Sequence, residues 1–165
     1  MIIYLDFDGV LHPDAVYQVK NKPLELRAPG ELFMHTEILL DALAPYPEAN
    51  IILSTSWVRS LGFDRTVKKM PAKLGERVLG STWHKVIRQD NYDPFSYMSR
   101  YKQIMLHVNK NAIGRWIAID DLFSGSEDWP AEHISKLVLT EESKGLSCKE
   151  AQADLNKKLM ETNNK

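Results

Sequence analysis

The sequence lacks several features that mark specialised classes of protein. Its 165 residues include a single cysteine, Cys148, which excludes an intramolecular disulfide and favours a reducing compartment. No apolar run approaches the roughly 20 residues of a membrane-spanning helix, and no basic segment precedes the first hydrophobic stretch. The formal net charge of -1 argues against a strongly charged surface for nucleic acid or membrane, although a local basic patch is compatible with it. We therefore expect a cytoplasmic protein with no membrane and no disulfide partner.

What is present is an ordinary globular composition, with 44% hydrophobic and 26% charged residues. A chain of this length is most simply one domain, here residues 1–165. Short apolar segments alternate with segments of helical periodicity, an order typical of parallel sheets. The predicted fold is an α/β, Rossmann-like, doubly wound and mainly parallel sheet of about five strands with helices on both faces.

The individual elements follow from hydrophobic periodicity and from the positions of proline and glycine. Strands are predicted at residues 1–5, 51–57, 77–80, 115–121 and 137–139. Helices are predicted at about 31–43, 58–75 with interruptions, 94–108 with Tyr97 on its inner side, and 148–161 with Ser147 as its cap. A small hairpin or flap is expected at about 12–30, and a loop at 84–93.

The strongest chemical signal lies at the start of the chain, where an apolar strand leads into Asp6, Asp8 and Gly9. Ligands of open α/β sheets bind beyond the carboxyl ends of the strands, so both acids are expected at such a crevice. Two carboxylates at such a short separation repel each other unless a cation neutralises them or one of them is protonated. Gly9 allows a sharp turn and a close approach to a ligand. Taken alone, the stretch is equally compatible with an Asp-Gly turn or a helix cap.

Two further buried-strand candidates end in polar groups of the same kind. Hydroxyl groups end the second apolar run, and an acid pair ends a later one; the residues are Ser54, Thr55, Ser56, Asp120 and Asp121. Four acids at one rim require a hard cation with oxygen ligands, and magnesium suits a site that binds a phosphate-bearing substrate. A carboxylate can serve as the nucleophile in phosphoryl transfer, and a neighbouring acid can then transfer the proton.

These residues resemble the motifs of the haloacid dehalogenase (HAD) superfamily of phosphotransferases. The first motif, Asp-x-Asp-Gly-Val, is found at residues 6–10, the second at residues 51–55, and the fourth, an acid pair that ends a strand, at residues 117–121. The resemblance covers about residues 1–140, and the longer strings around the second and fourth motifs resemble a small bacterial and phage branch. It implies a minimal or absent cap domain.

The resemblance also implies roles for individual residues. Asp6 is expected to be the nucleophile and Asp8 the general acid and base. Magnesium would be held by Asp6, the backbone carbonyl of Asp8, Asp120, and Asp121 directly or through water. Gly9 and Ser56 are expected to contribute to substrate binding.

Two assignments within the motifs stay open. The third motif of the family is a Lys or Arg that steadies the phosphorylated intermediate, and the helix before the Asp120 strand offers Arg100 and Lys102. Arg100 is preferred because it begins the string Arg-Tyr-Lys-Gln-Ile that related sequences share. In the second motif Thr55 is preferred as the phosphate ligand, and Ser54 is the alternative if the strand ends earlier.

The function that follows is a magnesium-dependent phosphomonoesterase acting through an aspartyl-phosphate. An open site suits a phosphorylated macromolecule, such as a nucleic-acid end or a phosphoprotein, and nucleotides are not excluded. The alternative is a non-catalytic HAD-like binding or regulatory module, but this sequence keeps every expected catalytic acid. A receiver-like domain is disfavoured because its acid pair would stand on the first strand and its phosphate-accepting Asp on a later one.

Several other residues have more ordinary explanations. His12 is assigned to a turn before Pro13, with a place in the pocket as the alternative. His35 is expected at the surface, and Trp57 and Trp83 are assigned mainly to packing, with stacking on a base as the alternative.

Overall fold

The computed structural model describes residues 1–19, 22–83, 94–121 and 129–164. Its centre is a parallel sheet of five strands in the order β5-β4-β1-β6-β7. These strands are β1 Ile2–Leu5, β4 Asn50–Leu53, β5 Val78–Ser81, β6 Trp116–Asp121 and β7 Leu137–Thr140. The predicted Rossmann-like, mainly parallel α/β fold is confirmed.

Helices lie on both faces of this sheet. They are α1 Thr36–Leu43, α2 Ser56–Leu61, α3 Phe63–Val67, α4 Ala72–Gly75, α5 Arg100–Lys110 and α6 Lys149–Asn163. Side chains alternate along a strand, so Ile3 and Leu5 pack in one buried cluster with α1 and α6, whereas Tyr4 packs on the opposite face with Ile104 of α5. Burial on both faces explains why the central strands are almost continuously apolar.

The register of the central strands sets the position of the site. Leu5 of β1 pairs with Leu53 of β4 on one side and with Ile119 of β6 on the other. The residues that follow, Asp6, Ser54 and Asp120, therefore lie side by side at one edge. Parallel strands make this alignment possible because their carboxyl ends all point the same way.

A two-stranded antiparallel hairpin stands apart from the main sheet. It consists of β2 Val16–Gln18 and β3 Leu24–Leu26, with Val16 opposite Leu26. The hairpin lies within residues 12–30, where a small hairpin or flap was expected. In the described residues no helix is long and apolar enough to cross a membrane.

Two predicted boundaries are wrong, the start of α1 and the end of β4. The helix predicted from about residue 31 begins at Thr36, because Phe33 has a left-handed backbone (φ 64) that a helix does not accommodate. His35, expected at the surface, is buried, and its ring contacts the carbonyl of Val10 at 3.2 Å. The strand predicted to reach Trp57 ends at Leu53 instead, because the Thr55 hydroxyl accepts a hydrogen bond from the Trp57 amide and starts α2.

Three predicted details of the later helices are also wrong. The helix predicted from residue 94 is divided into a 3-10 turn, Pro94–Tyr97, and α5, whose first turn is capped by Ser99. Tyr97 is 80% exposed and does not face the core. Cys148, not Ser147, precedes α6, and the Ser147 hydroxyl instead donates to the carbonyl of Lys144. The loop predicted at 84–93 lies outside the described residues.

Gly145 provides a test of the packing between the C-terminal elements and the first loop. It has φ 53, and a Cβ atom there would overlap the Val10 carbonyl and lie 3.0 Å from His35 Nδ1. We expect Gly145→Ala to reduce the free energy of unfolding by roughly 2–4 kcal/mol, because it combines backbone strain with a clash. Urea unfolding measures this change.

Gly114→Ala is the matched control for this substitution. A Cβ atom at Gly114 meets nothing within 4 Å. Equal effects of the two substitutions would contradict the close packing assigned to Gly145.

Candidate active site

Three carboxylates meet at the edge where β1 and β6 end. Asp6, Asp120 and Asp121 are all buried and each offers an oxygen within 4.8 Å of the others. Asp6 follows β1 directly, and the acid pair forms the last two residues of β6. The structure therefore brings together acids that are more than one hundred residues apart in the sequence.

Arg100 is the positive charge that the structure places against these acids. Its Nη2 donates a hydrogen bond to Asp6 Oδ2 at 2.9 Å, and its Nε lies 3.1 Å from Asp120 Oδ2 as an ion pair without hydrogen-bond geometry. Arg100 is the first residue of α5, so this helix begins at the edge of the sheet where the acids lie. Lys102 is exposed on the same helix. Of the two cations left open by the sequence, only Arg100 contacts the carboxylates.

This cluster is buried and carries an excess of negative charge. Burial raises the pKa of Asp6 well above its usual range; Arg100 opposes this shift, and Asp120 and Asp8 reinforce it. Burial by itself lowers the pKa of Arg100, but the neighbouring acids outweigh that effect and raise it. One guanidinium does not balance three buried carboxylates, so the donor set fits a hard divalent cation with oxygen ligands, such as Mg²⁺.

Asp8 is held by two donors that the sequence did not identify. Trp57 Nε1 donates to Asp8 Oδ2 at 2.8 Å, and His12 Nε2 lies 3.1 Å from Asp8 Oδ1. His12 Nδ1 accepts a hydrogen bond from the Phe33 amide at 3.2 Å, so the ring must carry its proton on Nε2 and donate it to Asp8. Both oxygens of the Asp8 carboxylate are therefore fixed in direction.

His12 was assigned to a turn, with a place in the pocket as the alternative, and Trp57 mainly to packing, with stacking on a base as the alternative; the structure places both against Asp8. They are also packed, since His12 is fully buried and Trp57 is 5% exposed. The available signal was their polar nitrogen atoms next to motif residues, four positions after Asp8 and two positions after Thr55. Hydrophobic periodicity does not reveal such contacts, because Trp57 and Asp8 are brought together only by the tertiary structure.

The hydroxyl groups at the end of β4 occupy different environments. Ser54 Oγ is buried and makes no hydrogen bond within the described part of the chain. Thr55 Oγ1 accepts the Trp57 amide at 3.3 Å, and Thr55 lines a cleft that also contains Arg100. Ser56 is exposed at the first residue of α2 and lines the same cleft. The geometry therefore favours Thr55 over Ser54 as the hydroxyl that a ligand beside Arg100 would meet.

The loop after Asp8 is shaped by one glycine and one threonine. Gly9 has φ 67, and a Cβ atom there would lie 2.6 Å from Asp121 Oδ2. The Thr140 hydroxyl lies 2.7 Å from the Gly9 carbonyl and 3.2 Å from that of Asp120. Thr140, at the end of β7, thus links the loop after Asp8 to the end of β6, a contact that no sequence pattern predicts.

A second group of acids borders the site on the side of the hairpin. Asp14, Asp121 and Glu142 also offer oxygen atoms within 4.8 Å of one another. Partial burial and the charges of Asp8, Asp121 and Glu142 raise the pKa of Asp14. This side of the site is therefore strongly negative, whereas the cleft beside Thr55 and Arg100 is not.

Comparison with protein families identifies a model that covers most of the chain. A family model described as "HAD domain in Swiss Army Knife RNA repair proteins" matches residues 2–151. Neither the curated proteins nor the solved structures include a significant match to this chain. The matched region contains all the acids, hydroxyl groups and cations described above.

Arg100 allows a direct test of the charge balance. In metal-free buffer with EDTA, Arg100→Gln should reduce the free energy of unfolding by about 3–5 kcal/mol, because it leaves Asp6 and Asp120 buried without a counter-charge. Lys102→Gln, on the exposed face of the same helix, should have little effect. Urea unfolding of both variants measures the difference, and an Arg100→Gln protein as stable as the wild type would contradict this charge balance.

The same variant has a defined pH dependence. Because the pKa of Asp6 is raised above that of the unfolded chain, the folded state binds this proton first as the pH falls. The stability lost in Arg100→Gln should therefore be partly recovered as the pH is lowered through the folded pKa of Asp6. A further loss specific to the variant would contradict the assigned sign.

Proposed function

Since the chain belongs to the HAD-domain family of Swiss Army Knife RNA repair proteins, we propose that it is a magnesium-dependent phosphomonoesterase that acts on phosphorylated RNA ends. The observation that carries this proposal is the contact of Arg100 with both Asp6 and Asp120 beside Asp121. This contact supports the proposal because a candidate nucleophile, a cation and candidate metal ligands lie at one point.

The metal ligands would be Asp6, Asp120, Asp121 and the backbone carbonyl of Asp8. Mg²⁺ bound there would neutralise charge on the carboxylates and on the phosphoryl oxygens. The buried donors are all oxygen atoms, which agrees with the preference of this ion. Cysteine and histidine ligands are absent from this cluster of described residues.

Asp6 is oriented for attack by the groups that it contacts. Its Oδ1 accepts a hydrogen bond from the Phe7 amide at 2.7 Å, and its Oδ2 accepts a hydrogen bond from Arg100 Nη2. The carboxylate must be ionised to act as a nucleophile, and Arg100 opposes the effect of burial on its pKa. In the proposed reaction an Asp6 oxygen attacks phosphorus, and the bond between phosphorus and the ester oxygen breaks.

Asp8 would supply and recover the proton. In its protonated form it donates to the leaving alkoxide, which departs as an alcohol. As a carboxylate it then takes a proton from water, whose oxygen attacks the phosphorus of the aspartyl-phosphate. Inorganic phosphate leaves, Asp6 is restored as a carboxylate, and Asp8 is protonated again. Arg100 and Thr55 would bind the phosphoryl oxygens during both steps.

The alternative is a binding module without catalysis. Such a module would be expected to have lost the nucleophile, the proton donor or a metal ligand. Asp6, Asp8, Asp120 and Asp121 are all retained, and His12 and Trp57 orient Asp8. This favours the enzyme. The family description supports RNA ends over phosphoproteins or free nucleotides as substrates.

Removal of the nucleophile is the first test of activity. Asp6→Asn should lower hydrolysis of p-nitrophenyl phosphate by about 10⁴-fold or more, because the amide does not form the phosphoenzyme. EDTA should abolish wild-type turnover and added Mg²⁺ should restore it. Asp41→Asn, an exposed position on α1, is the matched control. An active Asp6→Asn protein, shown by mass spectrometry to be free of deamidation, would rule out this nucleophile.

The orientation of Asp8 is tested by varying the leaving group. Trp57→Phe removes the Nε1 donor, and we expect kcat/KM for an alkyl phosphate to fall by about 10- to 100-fold, with a smaller loss for p-nitrophenyl phosphate. The reason is that a poor leaving group depends on the proton from Asp8, whereas nitrophenolate does not.

Trp129→Phe is the control for loss of an indole N–H. Trp129 is buried, and its Nε1 has no hydrogen-bond partner within the described ranges. Equal losses on both esters in Trp57→Phe would indicate general damage rather than misplacement of Asp8.

A further inference from the structure

Two neighbouring cavities lead away from the candidate active site. A cavity of about 280 Å³ begins at Thr55 and Arg100 and includes Phe95 and Met98. A neighbouring cavity of about 750 Å³ reaches Phe63. Both are lined by Arg59 and Trp83, so they adjoin at these two side chains, and together we call them the Trp83 groove.

The charge of this groove distinguishes it from the opposite side of the site. None of the described residues that line either cavity is Asp or Glu. The cavity on the hairpin side is instead lined by Asp14 and Glu142. A polyanion whose terminal phosphate lies against Arg100 would be repelled on the hairpin side and would extend along the Trp83 groove.

The groove also offers the side chains that bind unpaired bases. Trp83, Phe95 and Phe63 line the groove and are half-buried, so part of each side chain is exposed. Every base can stack on an aromatic side chain, and Arg59 adds a cation beside Trp83. Exposed hydroxyl groups, such as that of Ser56, can bind sugar or phosphate oxygens. Aromatic rings next to a cation and hydroxyl groups, without carboxylates, are typical of surfaces for single-stranded nucleic acid.

We propose that the Trp83 groove binds the single-stranded nucleotides adjoining the terminal phosphate, with Trp83 as the principal stacking platform and Arg59 as a backbone contact. The proposal rests on the proposed function for the position of the phosphate. It goes beyond that function because it assigns a path and a binding mode to the strand. A phosphopeptide is the competing macromolecular ligand and is included in the test.

The kinetic test compares substrates that fill the groove with one that does not. We would measure kcat/KM for a series of terminally phosphorylated oligoribonucleotides of increasing length, for phosphopeptides, and for p-nitrophenyl phosphate. For the wild type, kcat/KM should rise with oligoribonucleotide length and exceed that for phosphopeptides. Trp83→Leu should lower the value for the oligoribonucleotides by about 5- to 100-fold relative to its effect on p-nitrophenyl phosphate.

Matched controls lie outside the groove. Tyr17→Leu removes an aromatic side chain that is 51% exposed on the hairpin, and Lys157→Gln removes an exposed cation on α6. Neither should change the ratio between the two kinds of substrate. Equal losses on both substrates in Trp83→Leu, or a preference of the wild type for phosphopeptides, would overturn the proposal.

A binding measurement separates this inference from the proposed catalysis. With Asp6→Asn as the background, fluorescence anisotropy of a labelled, phosphorylated oligoribonucleotide gives Kd without turnover. Trp83→Leu should weaken binding by a similar factor, and Arg59→Gln should reduce the slope of log Kd against log salt by about one. If no ester is hydrolysed by the wild type but both binding effects are found, the proposed function fails and the groove remains. Binding unaffected by Trp83→Leu would overturn the groove even in an active enzyme.

Discussion

The main physical constraint on this structure is the burial of like charges at one edge of a parallel sheet. Asp6, Asp120 and Asp121 are buried next to one another, and Arg100 is the guanidinium that contacts two of them. Such an arrangement is costly without a counter-charge, because burial disfavours every ionised carboxylate. The acid cluster therefore does not favour folding, but it is suited to binding a cation and a phosphoryl group. The buried excess of negative charge and the proposed chemistry have the same physical origin.

Much of this could be predicted from sequence because the signals are local. Apolar runs that end in acids indicated both the strands and the edge at which Asp6 and Asp120 meet, and parallel pairing then fixed their alignment. Boundaries were predicted less well where a single backbone angle or cap decides them. Phe33 delays the first helix through its positive φ, and the Thr55 cap starts a helix where the strand had been predicted to continue to Trp57.

Contacts that orient the candidate catalytic groups could not be predicted, because they join residues that no sequence pattern links. Trp57 reaches Asp8 across 49 positions, and Thr140 reaches Gly9 across 131. His12 has the composition of a turn residue before a proline, yet its ring is buried between Asp8 and the Phe33 amide. The left-handed Phe33 that breaks the helix is the same residue whose amide fixes the tautomer of His12. A local departure from helical geometry thus serves the orientation of Asp8.

The surroundings of the acids are unequal, and this has consequences for substrate choice. On the hairpin side Asp14 and Glu142 extend the negative field of Asp121, whereas the Trp83 groove contains no carboxylate among its described residues. A small phosphate ester needs only the phosphoryl contacts, so it gains little from this asymmetry. In the proposed binding mode a strand carries further phosphates, and each of them would be repelled on the hairpin side and accepted in the Trp83 groove. Discrimination between the two would then come as much from repulsion at Asp14 and Glu142 as from attraction in the groove.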